Sequence, residues 1–230
     1  MAVEIWSYPW NSVISPFLLA LLIPISYSLI RNRKELKTLL LIFICSLVIV
    51  VFYPITSYLA TIMPMFGYSI GKLLLFVLLP TVTVFYIERW HIKEIFSNLG
   101  VRKKGIRESV LYGLAAALIT IIVSMAVASY QPDVIGRIVL FFEAFTEEFF
   151  FRGFLLLYLT EKTTSKIAYT TSILGFILIH PQHFGSLFLI STIAQGVLLA
   201  IVADKTKNII GPWISHGLNR LVPVLIKTFL

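Results

Sequence analysis

The sequence predicts an all-α polytopic membrane protein of about eight transmembrane helices. Composition is the first reason: 58% of the 230 residues are hydrophobic, 13% are charged, and the mean hydropathy is +0.92. A soluble domain carries about 25% charged residues. The second is a series of apolar stretches near the length that spans a hydrocarbon core. They run Val13–Ile30, Leu39–Ala60, Tyr68–Ile87, Val110–Tyr130, Ile138–Thr160, Ile167–His180, Leu187–Val202 and Ile209–Ile226. The third is the placement of the net charge of +8.

That charge alternates along the chain. Arg31, Arg33, Lys34 and Lys37 fall in the first loop, and Arg89, Lys93, Arg102, Lys103, Lys104 and Arg107 in the third. Lys162 and Lys166 follow in the fifth, Lys205 and Lys207 in the seventh, so odd loops hold 14 of the 19 basic residues. This is the positive-inside pattern, which places the basic loops in the cytoplasm and both termini outside, in a plasma-membrane protein. The distribution speaks against nucleic acid as a partner. Residues 88–108, ERWHIKEIFSNLGVRKKGIRE, read either as an interfacial helix on anionic headgroups or as a solvated connector.

MAVEIWSYPWNS at the N-terminus lacks a basic n-region and a small-residue cleavage site, so the first stretch is expected to remain as an anchor. The single cysteine, Cys45, falls inside the second stretch, where packing is its expected role.

The fifth stretch contains FEAFTEEFFFRGFLL, which sets Glu143, Glu147, Glu148 and Arg152 among apolar residues. A charge at mid-membrane costs about 2.5–3.5 kcal/mol, so four in one helix call for pairing or for function. Glu148 and Arg152 are i and i+4, acid first, and can neutralise each other. Glu143 and Glu147 lie on a neighbouring face with no partner in their own helix. A desolvated carboxylate in that position is a candidate general base.

Partners for it are sought among the four histidines. His91 belongs to the interfacial segment. His180 closes the sixth stretch in FILIH, His183 follows beyond Pro181 as a weaker candidate, and His216 lies in WISHGLNR of the eighth. Glu147 and His180 are each 14 residues from an inner-loop landmark, Glu161 and Lys166, which puts both about 21 Å from that side and allows them to meet. His216 matches that depth more loosely.

These residues carry a resemblance. EEFFFR (Glu147 to Arg152), FILIH (Phe176 to His180) and SHGLN around His216 resemble, in order, the EExxxR, FxxxH and final histidine motifs of the CAAX protease and bacteriocin-processing family, also called ABI. The resemblance covers about residues 90–222, a catalytic core behind N-terminal transmembrane helices at 1–89, integrated with the remainder through 230. It implies a glutamate-dependent intramembrane endopeptidase. Glu147 would activate water, His180 would hold it, Glu148 and Arg152 would brace the site, and His216 with Asn219 would stabilise the oxyanion. One position departs from the family pattern: four residues after His216 stands Arg220, and the asparagine, Asn219, is three residues on, so the second oxyanion donor is either Asn219 after local rotation of the helix or Arg220.

The implied substrate is a membrane-associated protein or peptide, prenylated CaaX-type proteins being what part of the family cuts. No cofactor is required on this reading. An alternative is a zinc peptidase with Glu147, His180 and His216 as ligands, a known His₂Glu composition. A second alternative is a non-catalytic immunity factor or scaffold in which the same residues only join helices.

Overall fold

The computed structural model describes residues 14–127 and 133–229. The MAVEIWSYPWNS stretch and the end of the fourth apolar stretch near Tyr130 lie outside the described residues. Those described form helices and short connections, with no strand among them.

In chain order, α1 is Leu18–Arg31, α2 Leu36–Phe52, α3 Pro54–Ile62 and α4 Gly67–Leu73. A π-helical turn, Leu74–Leu78, joins α4 to α5 (Leu79–Glu88), and the short α6 (Ile92–Asn98) precedes α7 (Ile106–Val127). The acid-bearing α8 (Val134–Glu148) runs without a break into a π-helix, Phe149–Tyr158, and then α9 (Leu159–Lys162). α10 (Ser165–Leu178), α11 (Phe188–Thr206) and α12 (Ile210–Phe229) complete the bundle.

Among the described residues, four helical runs are long and apolar enough to cross a membrane: Arg33–Phe52, Gly67–Glu88, Ile106–Val127 and Phe188–Thr206. Ser15–Arg31 and Ser165–Leu178 are shorter apolar helices. The rods 134–162 and 210–229 carry the charged residues of the fifth and eighth apolar stretches, which lowers their apolar character.

α7 shows the membrane as solvent. Its buried face is small or polar, with Ser109, Gly113, Ala116, Ala117, Thr120 and Ser124, while Leu111, Leu118 and Ile122 point outward. With lipid outside there is no gain in hiding leucine, and small residues let backbones approach closely. The approach is tight where α7 crosses α12. A Cβ on Gly113 would lie 2.4 Å from the Gly211 carbonyl oxygen.

The centre of the molecule is the π-helix. Its sequence, FFFRGFLLLY, is apolar almost all round, and a helix with no polar face must be surrounded. All ten residues are buried. Phe150 packs edge-on against Phe17 before α1 and Phe76 after α4, Phe151 against Phe176 of α10, and Tyr158 against Trp90.

The segment after α5 docks one face on the bundle and leaves the other exposed. Ile95 and Leu99 are fully buried, and Phe96 packs on Phe149 at 5.4 Å between ring centroids. Its basic continuation is tied to the turn before α12: the Asn208 side chain donates to the carbonyls of Arg102 (2.7 Å) and Lys104 (3.2 Å), and Ile209 N–H donates to the Gly100 carbonyl at 3.0 Å. Gly100 at φ +83° makes the required left-handed turn.

Gly113→Val is expected to lower stability in detergent by about 1–3 kcal/mol, because overpacking forces α7 and α12 apart. Leu118→Ala on the outward face should change it by less than about 0.5 kcal/mol. Thermal unfolding of the purified variants checks the pair.

Candidate active site

The final turns of α8 and the start of the π-helix bring Glu143, Glu147, Glu148 and Arg152 into the interior, none more than 4% exposed. Each carboxylate is neutralised, and two of the three cations come from other helices. Lys72 of α4 is itself buried, and its Nζ contacts Oε1 of both Glu143 and Glu147. Arg220 of α12 pairs with Glu143 and, through Nη2 at 2.8 Å, with Glu147 Oε1. Glu148 lies 3.1 Å from Arg152 Nε, the pairing expected from their spacing. Three acids therefore meet three bases.

Arg152 is held on further sides. Its Nη2 donates to the Gln195 carbonyl of α11 at 3.2 Å, and its guanidinium stacks 4.2 Å from the centre of the Phe176 ring. The phenylalanine of FILIH also packs against both site imidazoles, with centroids 4.9 Å from His180 and 5.8 Å from His216.

Hydrogen bonding orients those two rings. His216 Nδ1 is 2.7 Å from Glu148 Oε1, and His180 Nδ1 is 2.8 Å from the Phe176 carbonyl oxygen. A carbonyl or an ionised carboxylate only accepts, so Nδ1 carries the proton in each ring. The Nε2 atoms then turn to one point: they lie 3.7 Å (His180) and 3.8 Å (His216) from Glu147 Oε2. These separations exceed a direct hydrogen bond. Oε2 has no hydrogen-bond partner, in contrast to Oε1, which accepts from Lys72 and Arg220.

His180 reaches this point because α10 stops early. Fourteen helical residues span about 21 Å, less than a hydrocarbon core of about 30 Å. The chain leaves the helix at Ile179 and turns through a 3₁₀ segment, Pro181–His183. Such irregular backbone is tolerated at depth where it lines a polar cavity. His183 stacks on His180 with centroids 5.2 Å apart and its Nδ1 is 2.6 Å from Thr192 Oγ1, so it forms part of the cavity wall.

The cavity measures about 410 Å³ and is lined at its base by Lys72, Glu143, Glu147, His180, His216, Asn219 and Arg220. Asn219 is buried with Oδ1 unpartnered, whereas Arg220 is engaged by the two acids. Both residues after His216 thus face the site, in different capacities. Among the described residues no group of three His, Cys, Asp or Glu side chains is gathered as metal ligands are.

An all-α integral membrane protein with a buried glutamate facing two imidazoles is the class that fold and site define. Residues 132–222, less than half of the chain, match the family model described as "Type II CAAX prenyl endopeptidase Rce1-like", which supports membership of the CAAX protease and bacteriocin-processing family and indicates a peptidase. No curated protein and no solved structure matches the chain.

Lys72 and Gln195 have no place in the sequence reading. The signal for Lys72 was present: a lone lysine inside the third apolar stretch carries the same cost that drew attention to the glutamates.

Replacing Glu148 by Gln leaves Arg152 buried without its carboxylate and His216 without its anionic acceptor, so abundance and stability are expected to fall by about 3–5 kcal/mol. The double change Glu148→Gln, Arg152→Leu should recover much of the stability. Thermal melts of the three proteins in one detergent check this, and equal stability of single and double variants would contradict the pairing.

Proposed function

We propose that the protein is an intramembrane endopeptidase in which Glu147 is the general base, hydrolysing a peptide bond in a membrane-associated protein. The observation that carries this reading is the unpartnered Glu147 Oε2 facing two imidazole Nε2 atoms inside a polar cavity. A water molecule there donates one hydrogen to Oε2 and the other to His180 Nε2, and its oxygen is aimed at a carbonyl carbon in the cavity. Glu147 takes the proton as the carbon–oxygen bond forms. The proton then passes to the departing amine as the carbon–nitrogen bond breaks, giving a new carboxylate and a new amino terminus.

The oxyanion falls to the Asn219 amide and His216. His216, held at Nδ1 by Glu148, presents its Nε2 to the same space. Lys72 and Arg220 pair with Glu147 through Oε1 without occupying the oxygen that does the work. Positioned donors in a dry site are worth several kcal/mol in acyl transfer.

The reading needs no metal. Glu147 Oε1 already meets two cations and the six charged groups balance, so a divalent ion beside Oε2 would bring excess positive charge into a desolvated cluster. The same reading puts the chain in the plasma membrane with basic loops in the cytoplasm and both termini outside.

Glu147→Gln is expected to lower turnover by about 10²–10⁴-fold. Because this change leaves Lys72 and Arg220 to share the single Glu143 carboxylate, some loss of stability is expected beside it, and turnover is compared per folded molecule. Cleavage by the wild type should persist after exhaustive chelation. Full activity in Glu147→Gln would overturn the assignment, and loss on chelation with recovery on added zinc would favour the metal alternative.

A further inference from the structure

We propose that the cavity is entered from the face opposite the basic loops and that Arg137 at its rim binds a carboxylate of the entering peptide. The proposal rests on the peptidase reading for what happens after binding, and its test does not depend on hydrolysis.

The ends of the bundle identify the face. The third and seventh loops are joined through Asn208 to the Arg102 and Lys104 carbonyls. At the same end Glu88 pairs with Lys162 of the fifth loop at 2.6 Å and accepts from Tyr158 at 2.6 Å. The cavity rim is built from the other ends. Tyr68 begins α4, Arg137 lies in the first turn of α8, Gln182 and His183 follow α10, and Phe188 begins α11. Each adjoins an even-numbered loop almost without basic residues. With the basic loops in the cytoplasm, the mouth opens on the extracytoplasmic side.

The charge count identifies the ligand. Only five basic residues lie outside the odd loops: Lys72, Arg137, Arg152, Arg220 and Lys227. Three of them are spent on the three buried glutamates. Arg137 lines the same cavity, is half-buried, and has no ion pair among the described residues. The nearby Asp133 carboxylate is used in capping α8, accepting from Gly136 N–H at 3.0 Å. A carboxylate matches a free guanidinium in charge and in bidentate geometry. Ten helical residues separate Arg137 from Glu147, about 15 Å along the axis, which an extended peptide covers in about four residues.

The entry face is tested by single cysteines in a Cys45→Ala background, at Gln182 on the rim and Lys103 in a basic loop. A membrane-impermeant maleimide applied to intact cells should modify Gln182→Cys at once and Lys103→Cys only after permeabilisation; the reverse pattern overturns the entry face.

The ligand is tested by binding to purified protein in phosphatidylcholine vesicles. An apolar decapeptide is used with a free carboxyl end, with an amidated end, and amidated with one internal glutamate. Wild type should bind one of the two carboxylate forms about tenfold more tightly than the neutral form, and Arg137→Gln should lose that preference. The form preferred tells a chain end from an acidic side chain. No preference in wild type, or one unchanged in Arg137→Gln, overturns the role of Arg137. So does a preference that appears only when phosphatidylglycerol is added, since the anion would then be a headgroup.

Discussion

Ionised carboxylates inside a bilayer must be matched charge for charge, and the rest of this structure follows from that constraint. Glu143, Glu147 and Glu148 lie within two turns of one helix, and their own helix supplies a single cation, Arg152. The others come from α4 and α12, far apart in the chain, so Lys72 and Arg220 pull the N-terminal and C-terminal helices onto the central rod. Removing one partner of such a pair costs more than the pair contributes, because the remaining charge stays buried. The bundle is therefore organised around its site.

The pairing leaves one oxygen over. Glu148 spends one oxygen on Arg152 and the other on His216, and Glu147 spends Oε1 on Lys72 and Arg220. Glu147 Oε2 and Glu148 Oε2 both lack a hydrogen bond, but Glu148 Oε2 lies at ion-pair distance from Arg152, and it is Glu147 Oε2 that faces both imidazoles. The packing around it is rigid and aromatic: Phe176 touches Arg152, His180 and His216 together, and the π-helix behind it is enclosed on every side. π-helical turns recur at functional sites. Here the wide turn begins one residue after Glu148 and carries Arg152, so the brace sits on a fully buried part of the fold.

Much of this was legible because the relevant physics is local or one-dimensional. The apolar stretches follow from the cost of unpaired backbone in lipid, and the Glu148–Arg152 pair from helical spacing. The approach of His180 to Glu147 was anticipated by counting rise from the inner loops. Contacts between distant helices were harder to read. Spacing within one helix cannot show that Lys72 and Arg220 would serve Glu143 and Glu147, and the cost of Lys72 among apolar residues was a signal the sequence reading passed over. The end of α10 before His180 was marked by Pro181, which disfavours helix in the residue ahead of it. The docking of Ile95 and Leu99 had no comparable signal, since an interfacial helix and a buried one share the same apolar periodicity. Arg220, standing where the family pattern has an asparagine, offered a second candidate for the oxyanion; in three dimensions it is a counter-ion to Glu143 and Glu147, with Asn219 beside it in the cavity wall.

The account turns on the orientation of two imidazoles, each pinned at Nδ1 so that Nε2 faces Glu147. Nitrogen-15 NMR of histidine-labelled protein in lipid, with signals assigned by single histidine substitutions, reads the protonation of each ring nitrogen directly. Protonated Nδ1 in both His180 and His216 is the predicted result, with the His216 signal shifting in Glu148→Gln if that variant remains folded. An unprotonated Nδ1 in either ring would contradict the geometry on which the proposed chemistry rests.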